Sequence, residues 1–297
     1  MMMSDNNKML RVGCLGLGVM GAPMARRLAQ HGCLSQIWNR TSQVAEQLAK
    51  ELNLTAAPTA VDVVADVEVA FICVSKDDDV ISIVNSVLSA IKPGTILIDM
   101  STISQNTAIH VASLIEKQGG EFLDIPVTGG VEGAQTGRLA MMVGGHLDTL
   151  EKVNPLLEIL GSRIVHMGGH GMGQAAKAVN QIMAAGINQA VTEALAFGVR
   201  AGLDMEQLVD VLASGAAGNW FLEKRGKTMM QGQYQPGFKL ALHHKDLNIC
   251  ESMAEAMRME IPIATRTRKD YESLMAQGYG NEDISALYRL KYANNNQ

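Results

Sequence analysis

A glycine fingerprint near the start of the chain constrains its fold more than any other feature. The fingerprint reads Gly16-Leu17-Gly18-Val19-Met20-Gly21, and it lies between the apolar run 10–15 and an apolar-periodic segment at 22–30. Gly16 permits a tight turn, Gly18 lets the backbone approach a pyrophosphate, and Gly21 lets the helix pack close to the strand. The strand–turn–helix context predicts a dinucleotide site, and the alternative is a glycine-rich turn that binds nothing.

The end of the next predicted strand, at 35–38, indicates which dinucleotide is bound. Sites for NAD carry an Asp or Glu there that accepts hydrogen bonds from the ribose, but this chain has Asn39, followed by Arg40, Thr41 and Ser42. A guanidinium can bind a 2′-phosphate through two hydrogen bonds, and hydroxyl groups can add more. We therefore expect NADP(H) rather than NAD(H). The alternative is that Arg40 is a solvated charge and that Thr41 or Ser42 caps the following helix.

Length and composition exclude several classes of protein. The 297 residues suffice for two domains, and 47% hydrophobic with 19% charged residues is ordinary for a soluble chain. The net charge of −5 gives no basic field for nucleic acid. We expect no membrane span, because no apolar run approaches the roughly 18 residues required, and residues 1–8 do not resemble a signal peptide. Scattered cysteines at 14, 33, 73 and 250 suit the cytoplasm.

Apolar runs alternate with helical patterns through the first half of the chain, which predicts a doubly wound parallel sheet. The predicted strands are 10–15, 35–38, 67–74, 95–99, 121–126, 140–143 and 164–167. The helices between them are predicted at 22–30, 43–52, 80–90, 104–118 and 148–160. The last two or three strands are alternatively an antiparallel extension of the sheet.

After the glycine loop 166–173 the pattern is helical alone. The first segment, 174–201, is apolar all round, so it must be buried in its own domain or against a partner subunit. Further helices are predicted at 204–214, 241–257, 261–277 and 285–290, before a frayed asparagine-rich end. The sequence thus predicts an α/β Rossmann domain over 1–172 and an all-helical domain over 173–297.

Lys177 is a candidate general acid at the start of the long helix. The positive end of the helix dipole disfavours a second positive charge, and apolar neighbours add desolvation, so we expect its pKa to be lowered toward working pH. Asn180 follows three residues later on the same helix face and can orient either the lysine or a substrate oxygen. The alternative is an ordinary solvated lysine.

Five segments together resemble the β-hydroxyacid dehydrogenases, a group that includes 3-hydroxyisobutyrate dehydrogenase, tartronate semialdehyde reductase and the glyoxylate/succinic semialdehyde reductases. These segments are 16–24, 98–102, 124–130 with Gly133, Ala134 and Gly137 after it, the pair Lys177 and Asn180, and Lys245-Asp246-Leu247. The resemblance spans nearly the whole chain. It implies a Rossmann domain and an all-helical domain joined by a long helix, with homodimers or homotetramers built through the helical part.

The resemblance also implies site residues. It makes Lys177 the catalytic lysine and Asn180 its assistant, and it puts a substrate carboxylate on Thr128, Gly129 and Gly130. The cofactor residues implied by the fingerprint and the resemblance are Gly16, Leu17, Gly18, Val19, Met20, Gly21, Asn39, Arg40, Thr41, Val74, Ser75, Asp79, Thr102 and Lys245. Of these, Val74, Ser75 and Asp79 are expected in the loop after the fourth strand.

The chain departs from the family pattern at a few of these positions. Thr128 stands where Ser is usual, Gln181 where a second Asn is frequent, and Val74-Ser75 where Leu-Pro is frequent. These departures preserve the chemistry and leave the substrate open. Asn219 and Trp220, in the segment 214–220, are expected to contact the far end of the substrate, unless Trp220 is a core residue.

The sequence therefore predicts hydride transfer between NADP(H) and a small hydroxy acid or semialdehyde of the succinic semialdehyde, glyoxylate, tartronate semialdehyde or methylmalonate semialdehyde class. The helix N-terminus before Lys177 is expected to help hold the substrate carboxylate. An imine reductase and a catalytically silent NADP-binding module are the rival interpretations. No metal is expected, since His166 and His170 lie in a glycine loop and no Glu or Cys stands at zinc-ligand spacing. His243 and His244 contact either the cofactor or solvent.

Overall fold

The computed structural model describes residues 10–293. The expectations for residues 1–8 and for the asparagine-rich end lie outside these residues. The chain divides into two compact units, the first ending at Lys177 and the second beginning at Ala178. The first unit is α/β and the second is helical, which is the fold class that the sequence predicts.

Eight strands of the first unit form one sheet. They are β1 (Val12–Leu15), β2 (Leu34–Trp38), β3 (Val69–Ile72), β4 (Ile96–Asp99), β5 (Glu121–Asp124), β6 (Val127–Thr128), β7 (Leu139–Gly145) and β8 (Gly161–Gly168). Strands β1 to β5 are parallel in the order β2-β1-β3-β4-β5. The end of the sheet is mixed, because β7 is antiparallel to β5 and β6 but parallel to β8.

Helices cover both faces of this sheet. They are α1 (Gly21–Gln30), α2 (Ser42–Leu52), α3 (Ala60–Asp66), α4 (Asp77–Val87), α5 (Gln105–Glu116), α6 (Gly130–Thr136) and α7 (Leu147–Leu160). Successive strand residues point to opposite faces. Phe71 therefore packs in the core with α1, α2 and α7, and Ile72 packs in the core with α3, α4 and α5.

The carboxyl ends of the parallel strands lie in one row. Leu15 pairs with Trp38 on one side and with Ile72 on the other, and the row continues through Asp99 to Asp124. The chain reverses its direction of winding between β1 and β3, so this is the switch point of a doubly wound sheet, where ligands bind beyond the carboxyl ends. A one-residue parallel bridge between Ile37 and Ala56 extends the sheet beyond β2.

The second unit has a core of its own. Its helices are the continuation of α8 (Met172–Arg200), then α9 (Met205–Ala213), α10 (Trp220–Met230), α11 (Leu240–Ala256), α12 (Pro262–Ala276) and α13 (Tyr288–Ala293). Apolar side chains of α8, α11 and α12 form the centre, with Leu195, Leu247 and Tyr271 almost completely buried. The pattern 285–290 divides equally between a 3-10 turn, Ile284–Leu287, and the start of α13.

By length and composition, α8 could cross a membrane, so the expectation that no segment approaches that length is wrong. The helix nevertheless carries buried polar side chains that form hydrogen bonds within the protein. These are Gln174, Lys177, Gln181, Asn188 and Thr192. Such a pattern is typical of a helix at the centre of a folded domain, whose polar groups find partners on neighbouring segments.

Candidate functional site

The fingerprint forms a turn in which each glycine has a different physical role. Gly16 has φ of 95°, and a Cβ there would overlap the carbonyl oxygen of Cys73. A Cβ on Gly21 would overlap the carbonyl oxygen of Gly16, so this glycine is needed where α1 meets β1. No atom of the protein lies within 4 Å of a Cβ built on Gly18, so a ligand can approach the protein backbone closely at this residue.

The N-terminus of α1 is available to an anion. Its N-cap residue, Met20, makes no side-chain capping hydrogen bond, and its first turn contains no acidic residue. Val19, in the turn before it, is exposed. A phosphate fits such a helix end because the N–H groups of the first turn and the helix dipole both favour negative charge. The turn and the helix end therefore fit the pyrophosphate of a dinucleotide.

The residues after β2 brace this turn. The Asn39 Oδ1 accepts a hydrogen bond of 3.0 Å from the Leu17 backbone N–H, and its Nδ2 donates to the carbonyl oxygen of Thr41 at 3.1 Å. Thr41 is the N-cap residue of α2, but its side chain makes no capping hydrogen bond. Arg40 is largely exposed and forms an ion pair of 2.6 Å with Asp79. The guanidinium is thus held at the end of β2 by a carboxylate.

A serine hydroxyl helps to connect the segments that follow β3 and β4. The Ser101 Oγ accepts a hydrogen bond of 2.9 Å from the Val74 N–H. Val74 and Ser75 follow β3, which is the third full strand along the chain and becomes the fourth only when the bridge at Ala56 is counted. Asp79 lies in the first turn of α4 rather than in the preceding loop, next to Asp77 and Asp78.

Gln174 fixes the segment that contains Thr102, and the sequence reasoning missed it. Its Nε2 donates to the carbonyl oxygen of Ser101 at 2.9 Å, and its Oε1 accepts from the N–H of Ile103 at 3.1 Å. Thr102 is therefore flanked on both sides by bonds to one buried amide in the first turn of α8. The signal available in the sequence was a polar side chain, three residues before Lys177, in an otherwise apolar helix start.

Asp124 caps the start of α8. Its two carboxylate oxygens accept hydrogen bonds from the N–H groups of Gly171 at 2.7 Å and Gln174 at 2.9 Å. Burial raises the pKa of this carboxyl above its ordinary value, against the opposing effect of these two N–H groups. The expectation that the N-terminus of the long helix helps to hold a substrate carboxylate is wrong, because a carboxylate of the protein already occupies it.

Lys177 is buried, with 7% of its surface exposed. Its Nζ donates a hydrogen bond of 2.9 Å to the carbonyl oxygen of Val127. Because α8 begins at Met172, Lys177 is its sixth residue, and the dipole effect that falls off within the first turn is weaker there than expected. The alternative of a solvated lysine is wrong, and burial dominates the environment of this amine.

The hydrogen bond of Lys177 connects it to the segment with the predicted substrate residues. Thr128 directly follows Val127 in β6, and Gly129 and Gly130 are exposed at the start of α6. Gly129 has φ of 128° and Gly130 has φ of 62°, conformations that residues with a Cβ rarely adopt. Within the first unit, the Lys177 amine is thus hydrogen-bonded to the residue directly before Thr128.

In the second unit, a chain of hydrogen bonds joins the predicted asparagine to the predicted cofactor lysine. The Asn180 Nδ2 donates to Gln181 Oε1 at 2.8 Å, and Gln181 Nε2 donates to Asp246 Oδ2 at 2.6 Å. Asp246 Oδ1 then pairs with Lys245 Nζ at 2.8 Å. Gln181 and Asp246 were not among the predicted site residues, although both adjoin residues that were.

The remaining candidates have other environments. His243 is buried against the hydroxyl of Tyr271 and the carbonyl of Gln181, so it belongs to the helical core rather than to cofactor or solvent. Asn219 caps α10 by accepting from the N–H of Leu222. Trp220 is 61% exposed beside the Arg225 guanidinium, so the alternative that it is a core residue is wrong.

Two family models match the chain almost end to end. The model for the NAD binding domain of 6-phosphogluconate dehydrogenase matches residues 11–169, and the model described as NAD-binding of NADP-dependent 3-hydroxyisobutyrate dehydrogenase matches residues 171–291. The 2-hydroxy-3-oxopropionate reductase of Escherichia coli is 36% identical over 94% of this chain and 96% of its own length. The chain belongs to the β-hydroxyacid dehydrogenase family. It is accordingly an NAD(P)-dependent hydroxyacid dehydrogenase.

Solved structures support the assignment of this chain to the β-hydroxyacid dehydrogenase family. The 3-hydroxyisobutyrate dehydrogenase of Mycobacterium tuberculosis, solved with L-serine, has a TM-score of 0.87 and 31% identity, and the match covers 95% of this chain and 99% of that one. The imine reductase of Bacillus cereus matches with a TM-score of 0.63 and 20% identity over 94% and 98% of the two chains, which shows a shared fold alone. Relatives also include an NAD-dependent L-serine dehydrogenase of Pseudomonas aeruginosa, 33% identical over 95% of this chain and 98% of its own.

Proposed function

We propose that this hydroxyacid dehydrogenase uses NADP(H) to interconvert a small carboxylate-bearing semialdehyde or aldehyde acid and its hydroxy acid, with Lys177 as the general acid and base. The observation that carries the proposal is the buried Lys177 amine, bonded to the carbonyl of Val127 one residue before Thr128. A nicotinamide, when bound, supplies or accepts the hydride. The remaining chemistry, which is the handling of one proton and one carboxylate, falls to side chains and backbone groups of this chain.

Lys177 is the group proposed to move the proton. In the reductive direction its ammonium donates a proton to the oxygen of the substrate carbonyl, and in the oxidative direction the neutral amine removes the hydroxyl proton. The carbonyl oxygen of Val127 aims the amine, and burial shields it from bulk water. Asn180, three positions along α8, is proposed to hold the same substrate oxygen, with its own amide oriented by Gln181.

The substrate carboxylate is proposed to bind at Thr128, Gly129 and Gly130, with Trp220 as the contact to its far end. The exposed glycines and the half-buried Thr128 support this, since backbone N–H groups and one hydroxyl suit a carboxylate. The start of α8 is excluded from this role by Asp124. The expected substrates are succinic semialdehyde, glyoxylate, tartronate semialdehyde and methylmalonate semialdehyde.

The preference for NADP(H) rests on Arg40, which directly follows Asn39, the residue at the position where an NAD enzyme has a carboxylate. Its guanidinium is exposed and held by Asp79, in reach of a ligand at the end of β2. The other proposed cofactor contacts are the fingerprint residues 16–21, Asn39, Thr41, Val74, Ser75, Asp79, Thr102 and Lys245. A cytoplasmic location and a homodimer or homotetramer assembled through the helical unit complete the proposal.

The test is a screen of these short aldehydes with NADPH, followed by the loss of nicotinamide absorbance, in wild type and in Lys177→Ala. We expect Lys177→Ala to lower turnover by about 10² to 10⁴-fold with little change in cofactor affinity, because only the proton transfer is removed. Lys50→Ala, at an exposed lysine of α2, is the matched control and should keep wild-type turnover.

Three outcomes would contradict the proposal. Lys177→Ala could retain most of its activity, which would remove the assigned role. Wild type could reduce cyclic imines and no aldehyde, which would favour the imine reductase interpretation. Wild type could bind NADPH and turn over nothing, which would favour the silent binding module.

A further inference from the structure

We propose that Glu116, His146 and His170 form a binding site for a divalent transition-metal ion of the zinc class, separate from the hydride-transfer chemistry. The three side chains come from distant parts of the first unit. Glu116 ends α5, His146 is the N-cap residue of α7, and His170 lies in the glycine loop before α8. One potential ligand atom from each of them lies within 4.8 Å of the other two.

Both imidazoles face the same carboxylate oxygen. The Nε2 of His170 lies 2.8 Å from Glu116 Oε1, and the Nε2 of His146 lies 3.3 Å from the same atom. The two rings are perpendicular, with centroids 5.0 Å apart. Without a metal, the Nε2 of His170 is hydrogen-bonded to this oxygen. A bound cation would stand about 2.0 to 2.2 Å from each of the three ligand atoms in place of this hydrogen bond.

The donor set indicates which ions fit. Two imidazole nitrogens and one carboxylate oxygen suit Zn²⁺, Co²⁺ or Ni²⁺, whereas Mg²⁺ and Ca²⁺ prefer oxygen ligands throughout. Three protein ligands leave further positions for water, which the exposure of His146 and Glu116 permits. His170 is the least exposed of the three side chains, with its ring near Phe122.

The two ring nitrogens of His170 differ in their surroundings. Its Nδ1 is buried, and no hydrogen-bond partner for it exists within residues 10–293. The polar interactions found for the ring therefore pass through Nε2, the atom that faces Glu116 and His146. Because His170 belongs to the loop that leads into α8, a bound ion would tie that loop to the ends of α5 and α7.

The experiment measures Zn²⁺ binding to the tag-free, full-length protein after treatment with a chelator, by competition with a chromophoric chelator. We expect one Zn²⁺ per chain, no comparable binding of Mg²⁺, and an absorption band in the visible range when Co²⁺ replaces Zn²⁺. His146→Ala and Glu116→Gln should each weaken Zn²⁺ binding by about tenfold or more. Zn²⁺ should also raise the unfolding temperature of wild type, since it binds only the folded chain.

Two exposed histidines outside the cluster provide matched controls. His110→Ala, on the same helix as Glu116, and His31→Ala should bind Zn²⁺ as tightly as wild type. His146 is mostly exposed, so His146→Ala is expected to fold, and its circular dichroism and its unfolding temperature without metal verify this. Absence of stoichiometric Zn²⁺ binding by wild type, or equal binding by His146→Ala and wild type, would overturn the proposal.

Discussion

The ion pair between Arg40 and Asp79 sets the electrostatics at the end of β2. Asp79 lies in the first turn of α4, where the helix dipole stabilises its negative charge. Its partner is largely exposed, so the pair alone contributes little to stability. Its effect is to hold the guanidinium in place, and a 2′-phosphate arriving there would find the cation already oriented, with Asp79 as a competitor for it.

Replacing Arg40 by alanine tests the cofactor preference at the level of one side chain. Hydrogen bonds to charged groups contribute about 1.5–3 kcal/mol, so Arg40→Ala should lower kcat/KM for NADPH by about 10- to 100-fold. The value for NADH should stay close to that of wild type. Steady-state kinetics with both cofactors measure this. The control is Arg26→Ala on α1, which breaks an exposed ion pair with Glu51 of α2. Equal losses with NADPH and NADH would refute the assignment.

The sequence predicts some residues of the site and misses others, depending on whether their partners are near or far along the chain. The fingerprint roles of Gly16, Gly18 and Gly21 depend on local backbone geometry, and the structure confirms that geometry. The roles of Gln174 and Asp124 could not be found in this way. Gln174 bonds to Ile103, which is 71 residues away along the chain, and Asp124 bonds to Gln174, which is 50 residues away. Long-range pairing of buried polar groups leaves no periodic signal in the sequence.

At the scale of elements, the prediction depended on the length and periodicity of each segment. The long helices α5, α7, α8, α11 and α12 are confirmed to within a few residues at each end. Three helices were missed: α3, α6 and α10. Helix α3 is short, but the sequence contains the capping box between Thr59 and Asp62 that marks its start. Helix α6 is glycine-rich, and α10 begins at Trp220, where a loop was expected.

The start of α8 gives a pH-dependent prediction. In Asp124→Asn, the side-chain oxygen can still accept a hydrogen bond from one N–H group at the start of α8, but the amide NH₂ faces the other N–H group and cannot accept from it. We expect this substitution to destabilise the protein by about 1–3 kcal/mol. Burial raises the folded-state pKa of Asp124 above its ordinary value of 3.8, so the folded state binds the carboxyl proton more tightly than the unfolded chain does. The stability contributed by this group is therefore full below that value and is lost as pH rises through the folded-state pKa. Wild type and variant should differ most at low pH.

Chemical denaturation across a pH series measures this difference. The matched control is Asp204→Asn at the N-cap of α9, where hydrogen bonds from Gln207 lower the pKa below 3.8. That group contributes stability above 3.8, and the contribution is lost as pH falls through its folded-state pKa, which is the opposite sign. A constant difference between wild type and Asp124→Asn at every pH would contradict the account given for α8.

At the scale of the whole molecule, the surface of α8 bears on assembly. Val179, Met183 and Phe197 are exposed by 62%, 62% and 73% of their surfaces. Spacings of 4, 14 and 18 residues put them on one face of the helix. Ile263 of α12 is exposed beside Gly186 of α8 and extends this apolar stripe. Exposed apolar residues grouped in this way are typical of a protein–protein interface.

The proposed homo-oligomer therefore predicts the effect of one charge in this stripe. A two-fold interface contains each residue twice, and burial of a phenylalanine side chain contributes about 1.5–3 kcal/mol. Phe197→Glu should thus raise the dissociation constant by about 100-fold or more. Sedimentation velocity over a concentration series would show wild type above the mass of one chain and the variant shifted toward it. Leu147→Glu, at an exposed leucine of α7, should assemble like wild type. A wild type that is monomeric at every concentration, or a Phe197→Glu variant with an unchanged mass, would exclude this stripe as the interface.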